Sequence, residues 1–152
     1  MAGAEAGAAP GSVSDPHDLQ RFVAAQEGVY ESALEQLRAG RKTGHWMWFV
    51  FPQIEGLGMS PMSRRYAIAS LQEARAYLDH PVLGPRLAEC ARVLMELGGH
   101  DAEAIFGGID AIKLRSSMTL FARALGDDSI YYGVLDQYFG GTPDPQTDAR
   151  LG

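Results

Sequence analysis

Apolar residues recur along most of the chain at the three-four spacing of a one-sided helix. Asp15-Pro16 opens the pattern as an N-cap followed by proline at the first helical position, and Leu19, Phe22, Val23 and Gln26 share the stripe behind it. Gly28 interrupts the pattern. Tyr30, Ala33, Leu34 and Leu37 then form a second stripe, which ends at Arg38-Ala39-Gly40, a basic residue followed closely by glycine. Ser60-Pro61 or Ser63 can cap a third helix running to about Asp79, with Ala67, Ile68, Leu71, Ala74 and Leu78 on one face. His80-Pro81 breaks it, and Gly84-Pro85 restarts a helix carrying Leu87, Cys90, Ala91, Leu94 and Leu97 until Gly98-Gly99. Three further segments are expected: a short turn over 101–106 that stops at Gly107-Gly108, a helix over 109–125 and a helix over 128–139.

The pattern predicts an all-α, compact multihelical single domain of about six to seven helices over residues 15–140. Residues 1–14, rich in Ala and Gly, lack both the basic and the apolar region of a secretory signal and are expected to be a disordered tail. Residues 141–152, rich in Pro, Gly, Asp and Thr, are expected to be a second tail.

One stretch departs from this rhythm. His45-Trp46-Met47-Trp48-Phe49-Val50-Phe51-Pro52-Gln53 places so many large side chains in succession that no element could keep them on one face. Its alternation also fits a short extended segment at 45–52. A core segment is one explanation. The other is a wall on which Trp46 or Trp48 stacks a planar ligand, with His45 and Gln53 as polar ends.

Composition narrows the chemistry. The net charge of −6 argues against binding to duplex nucleic acid, whose affinity comes from basic side chains on phosphates. No apolar run reaches the length of a membrane span, so no membrane partner is expected. The single cysteine, Cys90, excludes an internal disulfide and suits a cytoplasmic protein. No histidine has metal-ligand spacing to another ligand residue, so neither a metal nor a cofactor is expected.

Two more segments carry candidate chemistry. In Gly56-Leu57-Gly58-Met59-Ser60-Pro61-Met62-Ser63-Arg64-Arg65, the glycines let a ligand approach the backbone. A helix N-terminus beside Arg64 and Arg65 suits an anion. In Asp110 to Thr119, Lys113 faces Asp110, Ser116 and Ser117 on a helix. A Ser–Lys nucleophile pair is one use of that arrangement. The other pairs Lys113 with Asp110, while Ser117 bonds the carbonyl four residues back. Glu55 is the acidic residue next to the aromatic run.

The segments Asp15 to Phe22, His45 to Gln53, Gly56 to Ser60, Tyr66 to Ile68, His80 to Gly84 and Lys113 to Phe121 resemble the bacterial family known as domain of unknown function 1810. The resemblance covers about 15–147 and implies a compact multihelical fold with no established activity. Some relatives carry the label calpastatin, and no residue pattern here supports protease inhibition.

Two functions stay open. The first is a cytoplasmic small-ligand pocket protein for a nucleotide- or sugar-phosphate-like anion. Trp46 or Trp48 would stack its planar part, and Gly56, Gly58, Ser60, Ser63, Arg64 and Arg65 would take the anion. Gln53, Ser116 and Ser117 would supply hydrogen bonds. A hydrolase would use His45 or Glu55 to activate water, with Lys113 for proton transfer. The second is a non-catalytic helical interaction module or self-associating domain. The sequence leaves enzyme status and oligomeric state undecided.

Overall fold

The computed structural model describes residues 14–152, and the N-terminal tail expected over 1–14 lies outside them apart from Ser14. The fold is all-α. Among the described residues nine helices run in order: α1 (Gln20–Gln26), α2 (Tyr30–Arg38), α3 (Met47–Val50), α4 (Pro61–Arg65), α5 (Leu71–Asp79), α6 (Leu83–Glu96), α7 (Ala102–Leu125), α8 (Ile130–Phe139) and α9 (Pro145–Leu151). Seven have seven residues or more.

Helix α7 is the centre. The consecutive residues Ser116 to Ala122 are all buried, because α5, α8 and α9 pack around this part of it. A helix covered on several sides needs no polar face, which explains why the sequence of α7 is apolar beyond one stripe. The interior is tied together by aromatic contacts. Phe22 meets Tyr77 edge-on at 5.1 Å, Tyr77 meets Phe121 at 5.3 Å, and Phe121 meets Tyr131 at 5.8 Å. These separations lie in the favourable range for aromatic pairs.

Several expected boundaries move. The first helix begins at Gln20 rather than Asp15. Asp15 still caps it from a preceding turn, accepting hydrogen bonds from the backbone N–H groups of Leu19 (2.8 Å) and Gln20 (3.0 Å). The helix expected from Ser60 to Asp79 is two helices. Ser60 caps α4 and Ser70 caps α5, with an extended link between them. In that link Ile68 donates its N–H to the Gln53 carbonyl and accepts from the Glu55 N–H, both at 2.8 Å. The Ile54–Ile68 pairing is an isolated parallel bridge.

The two segments expected on either side of Gly107 join into α7 across a kink. Gly107 takes φ 78°, a region open to glycine and costly for other residues. The segment 45–52 is not a strand: Met47–Val50 is a single helical turn. The tail expected over 141–152 contains α9, whose Thr147 is fully buried. Asp144 caps α9, and its Oδ2 accepts hydrogen bonds from the Thr147 hydroxyl (2.6 Å) and the Ser116 hydroxyl (2.9 Å). The same carboxylate therefore starts α9 and docks it on α7.

Candidate functional site

The aromatic run divides its two tryptophans. Trp46 precedes the helical turn and Trp48 lies within it, so their side chains leave in different directions. Trp46 is buried in the core, where its indole N–H donates to Gln36 Oε1 at 2.9 Å. The same oxygen accepts from the backbone N–H groups of Thr43 (2.9 Å) and Gly44 (3.0 Å). Trp46 is therefore a core anchor, not a stacking wall. Trp48 is only partly buried. Its indole nitrogen is nonetheless shielded from solvent and has no hydrogen-bond partner among the described residues. An unpaired buried donor is costly, so its surroundings matter.

Those surroundings are a cleft of about 170 Å³ between the Gly56–Ser63 loop and the turn after α3. Trp48, Gln53, Glu55, Gly56, Gly58, Ser63 and Arg64 all line it, together with Met59 and Tyr66. A second cleft, of about 240 Å³, lies toward α7 and α9 and is lined by Lys113, Ser116, Ile109, Ile112, Asp144 and Gln146. Gln53, Gly58 and Ser63 belong to both walls. Gly58 makes this shared wall thin, since a Cβ there would overlap the Ser63 hydroxyl.

Lys113 bridges the clefts. Its ammonium lies 4.7 Å from the centroid of the Trp48 ring and 3.5 Å from Asp110 Oδ1. Asp110 is shared, because its Oδ2 pairs with Lys42 at 2.7 Å. Lys42 is nearly buried, donates to the Gly44 carbonyl and sits 5.0 Å from the Trp46 ring centroid. Two lysines thus flank one carboxylate, each against an indole face.

Other expected site residues stand elsewhere. His45 is exposed and lies outside both clefts. Ser60 is occupied as the cap of α4, accepting from Ser63 N–H at 3.1 Å and donating to the Ser63 hydroxyl at 2.9 Å. The N-terminus expected to receive an anion is thereby already capped by this chain. Arg65 turns away from the clefts and donates to the Tyr66 hydroxyl at 3.2 Å. Ser117 is fully buried. Its hydroxyl lacks a partner among the described residues, so the expected bond to the carbonyl four residues back is absent. Ser116 makes that kind of bond instead, to the Ile112 carbonyl at 3.2 Å. Neither serine pairs with Lys113, and the Ser–Lys arrangement is not formed.

The C-terminal contribution was not anticipated. Asp144 and Gln146 line the second cleft, and Arg150 donates to the Gly56 carbonyl at 3.2 Å. Asp144-Pro145 repeats the Asp-Pro pairing that was recognised at Asp15-Pro16, so a signal for α9 was present in the sequence.

Two comparisons place the chain among known proteins. A family model described as protein of unknown function (DUF1810) matches residues 16–151. The chain belongs to this family. A crystal structure described as the conserved hypothetical protein Rv1873 from Mycobacterium tuberculosis is 56% identical in sequence. It superposes with a TM-score of 0.88 over 90% of this chain and 98% of that one. A comparison with curated proteins returns no match. This chain and that crystal structure thus share the multihelical fold, while the chemistry of the clefts must be argued from the residues themselves.

Proposed function

We propose that this DUF1810 protein is a cytoplasmic small-ligand pocket protein that binds a nucleotide- or sugar-phosphate-like anion where the two clefts meet. The observation that carries the assignment is the polar wall of the first cleft, where Gln53, Glu55, Ser63 and Arg64 share the lining with the partly buried Trp48. Lys113 lies against the Trp48 ring and lines the adjoining cleft, within reach of a ligand that spans both.

Hydrolysis is the reaction class that suits these side chains. Water would add across the ester or glycosidic bond: the Glu55 carboxylate takes a proton from the attacking water as its oxygen forms the new bond, and that proton passes to the departing oxygen as the old bond breaks. The location is inferred from Cys90, a lone and fully buried thiol that suits a reducing compartment.

The test is a thermal-shift panel of nucleotides and sugar phosphates on the full chain, followed by Trp48→Phe and Lys113→Gln. A ligand-dependent rise in Tm that both variants weaken is expected. The absence of any rise across the panel would overturn the assignment. Incubation of the binding ligands with the protein, scored for cleaved product, separates a hydrolase from a binding protein.

A second function has one observation in its favour. Ile109 and Ile112 are 75% and 67% exposed on neighbouring turns of α7, as a helical interaction module would require. Sedimentation over a range of concentrations would detect self-association.

A further inference from the structure

We propose that the ligand is a single-ring sugar phosphate rather than a whole nucleotide, with its ring in the first cleft and its phosphate on Lys113 in the second. The proposal rests on the pocket function stated above and assigns each end of the ligand a place.

Size comes first. A cavity of about 150 Å³ holds one benzene ring, so the first cleft, at about 170 Å³, accommodates one six-membered ring. The polar groups point the same way. Glu55 offers an acceptor, and Gln53 and Ser63 offer both kinds. Sugar hydroxyls donate and accept, and match such a mixed set. A phosphate dianion only accepts, and Glu55 repels it. Arg64 and Glu55 both stand exposed on the lining of this cleft.

The second cleft has a lysine on its wall. Lys113 and Lys42 share the single carboxylate of Asp110, and Lys42 holds it at the shorter distance, 2.7 Å against 3.5 Å. One positive charge of the trio is therefore in surplus, on the half-buried ammonium that lines the cleft. Asp144 also lines this cleft and keeps its negative charge, with Oδ2 turned to Ser116 and Thr147, from which it accepts three hydrogen bonds. The ammonium also lies close to the indole that bears the unpartnered N–H. A ring carrying its own phosphate spans that short separation, whereas a nucleotide places base and phosphate farther apart.

The experiment uses the full chain and measures apparent Kd by thermal shift for ribose 5-phosphate, glucose 6-phosphate, the two parent sugars, inorganic phosphate and adenosine 5′-monophosphate. A sugar phosphate should bind more tightly than its parent sugar, than phosphate and than the nucleotide. Lys113→Gln should weaken sugar-phosphate binding about tenfold or more, the worth of a charge-assisted hydrogen bond, while leaving the parent sugar unchanged. Lys113→Arg should retain the phosphate dependence, which separates lost charge from misfolding. Arg64→Gln, at the rim of the first cleft, should weaken the parent sugar and the sugar phosphate alike and leave the preference for the phosphate intact. Loss of phosphate dependence in Arg64→Gln but not in Lys113→Gln would overturn the orientation. Tighter binding of the nucleotide than of either sugar phosphate would overturn the single-ring class while leaving the pocket function standing. Binding of none of these esters would remove both.

Discussion

Lys113 lies against the face of Trp48, its ammonium 4.7 Å from the ring centroid, while the indole N–H of that ring is buried without a partner. Trp46, two residues earlier, has the complementary condition: a lysine lies near its ring and Gln36 accepts from its N–H. The pair offers a comparison within one short segment.

Trp46→Phe should cost about 1.5–3 kcal/mol, because it removes buried volume and breaks a satisfied hydrogen bond. Trp48→Phe should cost less than about 1 kcal/mol, because lost packing is offset by deleting a buried donor that had no acceptor. Urea unfolding of the two variants measures the difference. Equal losses would mean that the Trp48 N–H is satisfied in solution.

The division between the tryptophans shows where local sequence ceases to decide. The stripes of α2 and α6, the break at Gly28 and the kink at Gly107 follow from spacing and backbone freedom, and were legible. The direction taken by each indole was not, since Gln36 on α2 captures Trp46 from ten residues upstream. The end of α4 was hidden for a similar reason. Ala67 and Ile68 continue a helical rhythm, but Ile68 instead pairs with the backbone of Gln53 and Glu55. Helix α9 was obscured by the Pro and Gly around it, although its capping signal was intact. The loop glycines, Gln53 and Lys113, which stand out by residue type, line the clefts. The occupation of Ser60 and the exposure of His45 depended on tertiary geometry.

Gly84→Ala should be among the most damaging small substitutions, costing about 3 kcal/mol or more. A Cβ at this position would overlap the backbone carbonyl oxygen of Leu78, which cannot rotate away as a side chain would. The close approach lets α6 begin directly against the end of α5. Gly99→Ala has open space around its Cβ and should stay within about 0.5 kcal/mol of the wild type. Denaturant midpoints of the two variants check the contrast.

Cys90 should resist alkylation in the folded protein. Burial pushes its thiol up to about 12, despite a hydrogen bond with Tyr30 that acts in the opposite direction. Thiolate is therefore nearly absent at pH 8, and the sulfur is also inaccessible. Iodoacetamide should add one label in urea and almost none in buffer, by intact mass. Rapid labelling of the native chain would show that α6 opens readily.

The attachment of α9 should weaken in acid. Asp148 accepts two hydrogen bonds from Arg123, at 2.8 and 3.0 Å, across the α7–α9 contact. The guanidinium holds the Asp148 carboxyl below its ordinary value of 3.8, against the opposing effect of partial burial. A depressed folded value means that the ionised carboxylate stabilises the folded state. That contribution is fully present above the unfolded value and is lost as pH falls through the folded one. Both side chains are about one-third exposed, so solvent screening limits the pair to about 0.5–1 kcal/mol. Asp148→Asn should therefore lower stability by about that amount above roughly pH 5, and the gap should close as the pH drops below 3.8. Amide hydrogen exchange gives the local readout: α9 should exchange faster in the variant at neutral pH, while α2, which is remote from the pair, keeps its protection. A stability gap that persists undiminished at low pH would assign the effect of the substitution to packing rather than to the charge.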